Sequence, residues 1–154
     1  MRSTGSAVLL VAVALILLRP WEAGVERGPA TATARVVRVV DGDTVAARVE
    51  GQLEDVRYIG VDTPETVDPE QPVQCFGHRA AAFNRRLVAG RRVRLVFGAE
   101  RRDAYGRLLA YVYIRRRFVN GELLRRGLAR TLAIAPNTRY QAVFARLELA
   151  AARS

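Results

Sequence analysis

Short runs of β-branched residues alternate with turn signals over residues 33–61, and this alternation restricts the chain to a strand-rich fold. Arg35–Val40 is the first run, and Asp41-Gly42-Asp43 follows it as a tight-turn sequence. Thr44–Val49 and Val56–Val61 have the same character and are separated by a glycine-containing turn. Strands joined by such short turns form an antiparallel meander. We expect the meander to end at Thr63-Pro64, because proline has no N–H to donate and favours an extended residue before it.

Helical and extended patterns alternate through the rest of the chain. Phe76, Ala80, Phe83 and Leu87 repeat at helical spacing, and Gly90 follows them as a C-terminal cap. Two strands are predicted next, Val93–Phe97 and Leu108–Ile114, and a basic hairpin tip follows at Arg115–Arg117. A short helix, Glu122–Arg126, is predicted to be capped by Asn120, and an extended segment, Leu128–Ile134, follows it. A last helix is predicted to start at Pro136-Asn137-Thr138, with an apolar stripe of Tyr140, Phe144, Leu147 and Ala151. This order predicts an α+β, mainly β fold, a five-stranded OB-type β-barrel with three α-helices.

A continuous apolar run, Ala7–Leu18, follows Arg2 near the start of the chain. It is shorter than the roughly 20 residues that usually span a bilayer, and it resembles the apolar core of a secretory signal. The nearest small-residue cleavage patterns lie far beyond the run, so a cleaved signal and an uncleaved membrane anchor both stay open. We therefore expect residues 1–24 to be a signal peptide or anchor, 25–32 a linker and 33–154 the folded domain. The protein would be exported, then secreted, periplasmic or tethered to the membrane.

Charge and the scarcity of two residue types narrow the chemistry. The chain has 25 basic residues against 15 acidic ones and a formal net charge of +10. This excess favours a polyanionic partner over the alternative that the charge serves only solubility. With one cysteine and one histidine, it can form neither an internal disulfide nor a zinc site of the usual Cys/His type. Cys75 and His78 could form a nucleophile–base pair on one helix face, but no third group to orient them is evident.

Acidic residues gather at two predicted strand ends within this basic chain. Asp41 and Asp43 lie in the first cluster, and Asp62 and Glu65 lie in the second, shortly after Arg57. Converging carboxylates repel unless a cation lies between them, and oxygen ligands without His or Cys favour Ca²⁺ or Mg²⁺. Such an ion polarises a phosphoryl oxygen and orients a water.

The neighbouring residues supply the other groups that phosphodiester hydrolysis needs. Glu65 is close enough in sequence to Asp62 to accept a proton from that water. Arg57 and Arg107 can each bind phosphate oxygens through two parallel N–H groups. Each motif alone has a structural interpretation, since DGDT is an ordinary turn, DTPET can be a helix cap or an Asx-turn, and YGR can be a packed tyrosine beside a surface arginine. Their occurrence together and in order favours phosphodiester chemistry.

The ordered motifs DGDT, R-x-x-x-V-DTPE, FG-x-x-A, D-x-YGR-x-LAY-x-Y and VNG-x-L-x-x-x-GLA resemble those of the staphylococcal-nuclease (thermonuclease) family, over roughly residues 33–150. The resemblance implies an OB-type barrel and a Ca²⁺-dependent nuclease that cuts DNA and RNA and leaves 3′-phosphates. By matching positions, Asp43, Asp62 and the backbone carbonyl of Thr63 would bind the ion. Glu65 would be the base, Arg57 and Arg107 the catalytic phosphate-binding arginines, and Tyr105 a further substrate contact.

The chain departs from the family pattern where nucleotides would be held. Ala104 replaces a lysine, and Leu132 and Ile134 replace tyrosines that lie on or near a bound nucleotide. The loop Asp68–Gln71 lacks the family's lysines, and no tryptophan-bearing tail follows the last helix. Losing an aromatic stack removes about 1–3 kcal/mol per base, so the resemblance implies weaker substrate binding with the ion and arginines intact.

Two other classes of function compete with the nuclease. One is a non-catalytic OB-type module that binds single-stranded nucleic acid, although such domains in this family generally lack the acids and arginines kept here. The other is an envelope protein whose basic face binds anionic lipid. We expect a nuclease that acts as a monomer on DNA and RNA. A Glu65→Gln change separates the nuclease from the lipid-binding protein, because nuclease activity should fall by orders of magnitude whereas lipid binding should survive.

Overall fold

The computed structural model describes residues 29–64 and 77–153. The apolar N-terminal run, Glu65 and Cys75 lie outside these ranges, and so do the predictions made for them. The chain first forms an antiparallel meander of β1 (Thr31–Val39), β2 (Thr44–Val49) and β3 (Gln52–Tyr58). The bounds of β2 agree with the sequence prediction, whereas β1 begins two residues before the expected start of the domain.

Two further strands close the meander into a barrel. β5 (Arg92–Arg102) pairs antiparallel with β1 and with β6 (Leu108–Ile114), after a short β4 (Val61–Asp62). β6 then pairs in parallel with β3, from Val56 opposite Leu108 to Tyr58 opposite Ala110. This pairing completes a mixed five-stranded barrel with three helices, so the predicted fold class is confirmed. The interior is filled by alternate strand residues, among them the fully buried Val45, Val56, Leu95 and Val112.

Three helices cover the barrel in the described part of the chain. α1 (Gly77–Val88) buries Ala80, Phe83 and Leu87 of the predicted apolar stripe, and Gly90 follows it with a φ of 68°, a left-handed conformation suited to glycine. A two-residue β7 (Arg117–Phe118) leads into α2 (Val119–Arg125), and β8 (Arg130–Thr131) pairs with β4. α3 (Gln141–Ala151) completes the described chain. None of the helices in these ranges is long and apolar enough to cross a membrane.

Two details of the helical predictions were wrong. Asn120 does not cap α2, because the capping position is Phe118 and the Asn120 side chain is fully buried. It instead donates to the carbonyl of Ile59 (2.8 Å) and accepts from the N–H of Val112 (2.9 Å), so it joins α2 to the barrel. The last helix begins at Gln141 rather than Pro136, because the intervening residues form turns closed by backbone hydrogen bonds such as that from the Asn137 N–H to the Ile134 carbonyl.

Three exposed arginines stand side by side across the outer face of the sheet. Arg35 of β1 lies opposite Arg48 of β2 on one side and Arg92 of β5 on the other. Like charges directly opposite one another destabilise a sheet. Arg35→Thr is therefore expected to raise the free energy of unfolding by about 0.5 kcal/mol at low salt, as measured by urea denaturation.

Arg38→Thr is the matched control for this change. Arg38 is exposed on the same strand, but it lies opposite Ala46 instead of an arginine. The advantage of Arg35→Thr over Arg38→Thr should shrink as added salt screens the repulsion. Equal effects of the two changes at low salt would show that the arginine row costs the fold nothing.

Candidate active site

The turn between β1 and β2 is shaped to place an aspartate inside the protein. Asp41 Oδ1 accepts a hydrogen bond from the N–H of Asp43 (2.9 Å), which closes the turn locally. Gly42 packs so closely that an added Cβ would lie 2.7 Å from the Ala80 Cβ of α1 and 2.7 Å from the Thr63 side chain. Only glycine fits this approach, so the DGD sequence reflects packing against α1 as well as turn formation.

Asp43 is buried and surrounded by donors. Its Oδ2 accepts hydrogen bonds from the Thr63 N–H (2.7 Å) and hydroxyl (3.0 Å), and its Oδ1 accepts one from the Thr44 hydroxyl (3.1 Å). Burial raises the pKa of Asp43 to about 7; the charge of Arg57 opposes this rise, the nearby Asp41 carboxylate adds to it, and the Thr63 hydrogen bonds oppose it. Burial thus outweighs the charge of Arg57 and the Thr63 hydrogen bonds in setting the pKa of Asp43.

Arg57 connects the two acidic clusters. Its Nη1 lies 3.1 Å from Asp43 Oδ2, and its Nη2 lies 2.9 Å from Asp62 Oδ1. Nη1 also donates to the carbonyls of Val61 (2.7 Å) and Tyr58 (3.1 Å). The structure thus brings Asp43 and Asp62 to one guanidinium, although they come from different strands. Both terminal nitrogens of Arg57 are already bound by protein oxygen atoms, so its guanidinium is not free to bind a phosphate without giving up some of these contacts.

The oxygen atoms around Arg57 suit a hard divalent cation. The side chains of Asp43 and Asp62 and the neighbouring Thr63 carbonyl contain no sulfur or nitrogen donors, which is the ligand chemistry of Ca²⁺ and Mg²⁺. Within residues 29–64 and 77–153, no group of three or more His, Cys, Asp or Glu side chains could hold a metal by itself. These residues therefore fit a cation that takes its remaining ligands from water and a substrate phosphate.

Arg107 is held from behind by Asp103. The Arg107 Nε donates to Asp103 Oδ2 (2.7 Å), and the Arg107 backbone N–H donates to Oδ1 (3.0 Å). Burial tends to raise the pKa of Asp103, but the hydrogen bonds and charge of Arg107 bring it below the ordinary value. Both Nη atoms of Arg107 are left without a hydrogen-bond partner among the described residues. The sequence analysis assigned no role to Asp103, although the D-x-Y-G-R motif places it four residues before Arg107.

A groove of about 400 Å³ joins the two arginines. Arg57, Tyr105 and Arg107, the three residues predicted to bind substrate, all line this groove. Tyr105 is 85% exposed, and its ring is therefore available to a ligand. Leu132 and Ile134 also line this groove. Aliphatic side chains therefore stand in the groove where the family pattern has tyrosines.

Asn84 supports the acidic turn from α1 and was missed by the sequence analysis. It is fully buried, donates to the Asp41 carbonyl (3.1 Å) and accepts from the Tyr58 hydroxyl (3.0 Å). A polar residue beside Phe83 on an otherwise buried helix face was its only sequence signal. Glu65, the predicted base, lies outside the described residues, so its position relative to these groups stays a prediction.

The barrel and the site define an OB-type protein with an arginine-lined groove beside a pair of carboxylates whose oxygen atoms suit a hard cation. The family model described as staphylococcal nuclease homologue matches residues 55–154. The chain belongs to this family, as its sequence motifs indicated.

Named relatives agree with the family assignment. The chain is 39% identical to a thermonuclease of Staphylococcus hyicus over 142 residues, which cover 86% of this chain and 84% of the relative. It is 47% identical to a thermonuclease of Staphylococcus intermedius over 106 residues, or 69% of this chain and 63% of the relative. It is 46% identical to endonuclease YncB of Bacillus subtilis over 105 residues, or 67% and 50%. These relatives identify the chain as a nuclease, a hydrolase of phosphodiester bonds.

Proposed function

We propose that this nuclease is Ca²⁺-dependent, hydrolyses both DNA and RNA with little sequence preference and leaves 3′-phosphate ends. The observation that carries the proposal is the convergence of Asp43 and Asp62 on the Arg57 guanidinium, at the edge of a groove that also contains Arg107. A site with paired oxygen ligands and two guanidiniums is suited to a phosphodiester, whose negative charge increases in the transition state.

Each residue has a separate task in this proposal. Asp43, Asp62 and the Thr63 carbonyl would hold the cation. When bound, Ca²⁺ supplies Lewis-acid polarisation of a phosphoryl oxygen and orients a water. Glu65 would take the proton of the attacking water as general base.

The arginines and Tyr105 would position the substrate. Arg107 offers two Nη donors to the phosphate, and Asp103 fixes the orientation of its guanidinium. Arg57 would exchange part of its contact with the carboxylates for the phosphate. Tyr105 projects into solvent beside Arg107, where it can contact the nucleotide. With Leu132 and Ile134 in place of aromatic residues, base stacking contributes little, so binding would rely on the phosphates and base preference would be weak.

The cellular setting follows from the sequence and the charge. We propose that the apolar N-terminal segment exports the protein, which then acts as a monomer, either free or tethered to the membrane. The formal net charge of +10 would attract nucleic acids from a distance.

The proposal is tested by incubating the purified full chain with plasmid DNA and with RNA in Ca²⁺, in Mg²⁺ and in chelator. We expect cutting of both nucleic acids in Ca²⁺ and none in chelator, with products that require phosphatase treatment before a polymerase can extend them. Cutting that persists in chelator would reject the cation, and binding without cutting in every condition would favour the non-catalytic module.

Glu65→Gln tests the general base. Because a positioned base typically contributes about 10²–10⁴-fold, kcat should fall by that factor while the affinity for DNA measured in chelator stays unchanged. Asp55→Asn is the matched control, since it removes the same charge from an exposed position on β3. Glu65→Gln activity within a few-fold of the Asp55→Asn activity would remove Glu65 from the mechanism.

A further inference from the structure

A second cleft, of about 520 Å³, lies between α1 and α2 and is separate from the groove that contains Arg57 and Arg107. Its lining combines an apolar floor with basic side chains from α1 and from the segment directly after α2: His78, Arg79, Phe83, Arg86, Arg126 and Leu128. Its volume is within the range of ordinary ligand sites. None of these residues takes part in the site described above.

Two arginines are positioned over the floor of this cleft. The guanidinium carbon of Arg126 lies 4.7 Å from the centre of the Phe83 ring, and that of Arg86 lies 5.9 Å from it. Phe83 is buried, whereas both arginines are exposed. Cation–π contacts of this kind hold the side chains in place while their N–H groups stay available.

No carboxylate neutralises this pair within the described part of the chain. The nearby Glu122 of α2 is taken by Arg125, with Nη1 2.6 Å from Oε1. Arg86 and Arg126 make no ion pair with any of residues 29–64 and 77–153. Two guanidiniums on an aromatic floor, without an ion-pair partner among the described residues, have the chemistry that phosphate groups require.

The cleft is connected to the candidate active site through β8. Arg130 of β8 is exposed and lies directly opposite Asp62 of β4, about 5 Å away between Cα atoms as is usual for such pairs. Arg126 precedes Arg130 by four residues, which span at most about 14 Å even when fully extended. The exposed Arg130 and Arg126 therefore both lie within about 20 Å of the predicted cation ligand Asp62, between Cα atoms.

We infer that the cleft between α1 and α2 is a secondary binding site for the phosphates of single-stranded nucleic acid, several nucleotides away from the bond that is cut. The inference rests on the proposed function, because that function supplies the polyanion. Arg130 lies beside the predicted cation ligand Asp62, and Arg126 lies in the cleft only four residues earlier, so a long polyanion can reach both sites. A concave site with a buried aromatic floor does not suit a flat lipid surface. Longer substrates would then bind more tightly than short ones.

The test uses the full chain with Arg86→Gln and Arg126→Gln combined. Binding to a labelled oligothymidylate of about 16 nucleotides is measured by fluorescence anisotropy in chelator, over a range of salt concentrations. We expect affinity to fall by about tenfold and the slope of log K against log salt to decrease by about 1.4, since each of the two lost phosphate contacts on a single strand contributes about 0.7. The kcat/KM for a dinucleotide in Ca²⁺ should not change.

Two further double variants make the result specific. Arg35→Gln with Arg92→Gln removes the same charge from the outer face of the sheet and should leave most of the affinity intact. Arg86→Lys with Arg126→Lys keeps the charge, should keep the salt slope, and reports on binding even where the glutamine variant folds poorly.

Three results would overturn the inference: no loss of affinity in the Arg86/Arg126 glutamine variant, an equal loss in the Arg35/Arg92 variant, or a lysine variant that folds normally but has lost the salt slope. Failure of the proposed function gives a different result. If the wild-type chain cuts nothing but binding in chelator shows the expected losses, the cleft stands as a nucleic-acid site and the catalytic proposal falls.

Discussion

Arg107→Lys is expected to lower kcat/KM on DNA by about 10²–10³-fold while the Tm stays unchanged. Arg107 uses its Nε to bind Asp103 and leaves both Nη atoms for a ligand. A lysine has a single ammonium at the end of its chain, so it cannot bind Asp103 and also offer a planar pair of donors to phosphate. The Arg107 side chain is about one-third exposed, so folding should be unaffected.

The matched control for Arg107→Lys is Arg101→Lys on the preceding strand. Arg101 is exposed and stacks over Phe97 at 4.1 Å from the ring centre, outside the groove. Asp103→Asn separates positioning from binding, because it keeps the shape of the turn and removes the charge that orients Arg107. It should reduce kcat more than it raises KM. An Arg107→Lys enzyme that retains more than about a third of wild-type kcat/KM would exclude the two-donor role.

Local sequence patterns predicted the elements whose ends are marked by turns. β2 and β6 have the predicted bounds, because each is a run of strand-forming residues between turn residues. β5 extends beyond Phe97 to Arg102, although these added residues are largely charged and exposed. Its end pairs with β6, where Arg102 lies opposite Leu108. Such a pairing is set by the partner strand, so the sequence of β5 alone could not reveal it.

The candidate site was predictable in composition but not in arrangement. The motifs identified Asp43, Asp62, Arg57 and Arg107 as a set. That one guanidinium holds both aspartates depends on strand pairing, since Thr44, next to Asp43, lies opposite Arg57 in the β2–β3 ladder and β4 follows β3 closely. Contacts between separate strands leave no periodic signal. The buried asparagines show the same limit, because a single polar residue in an apolar stripe does not disclose its partner.

Asn120→Leu is expected to lower the free energy of unfolding by about 3 kcal/mol, because it leaves two buried backbone groups, the N–H of Val112 and the carbonyl of Ile59, without partners at about 1–3 kcal/mol each. Loss of a helix cap, the role predicted from sequence, would cost only about 1 kcal/mol. Urea denaturation therefore distinguishes the two roles.

Arg125→Ala in the same helix is the control for Asn120→Leu. It removes only the exposed pair with Glu122, whose loss should cost less than about 0.5 kcal/mol. The effect of Asn120→Leu should also reach the groove, because Ile59, whose carbonyl loses its partner, is followed by Gly60 in the lining of the groove. Gly60 has a φ of 78° and packs against Phe144, so no side chain fits at this position. We expect DNA cleavage to be lost at a lower temperature in Asn120→Leu than in the wild type, in step with unfolding. A loss of 1 kcal/mol or less in the free energy of unfolding, about that of a missing cap, would show that the hydrogen bonds from Asn120 to the barrel contribute little to stability.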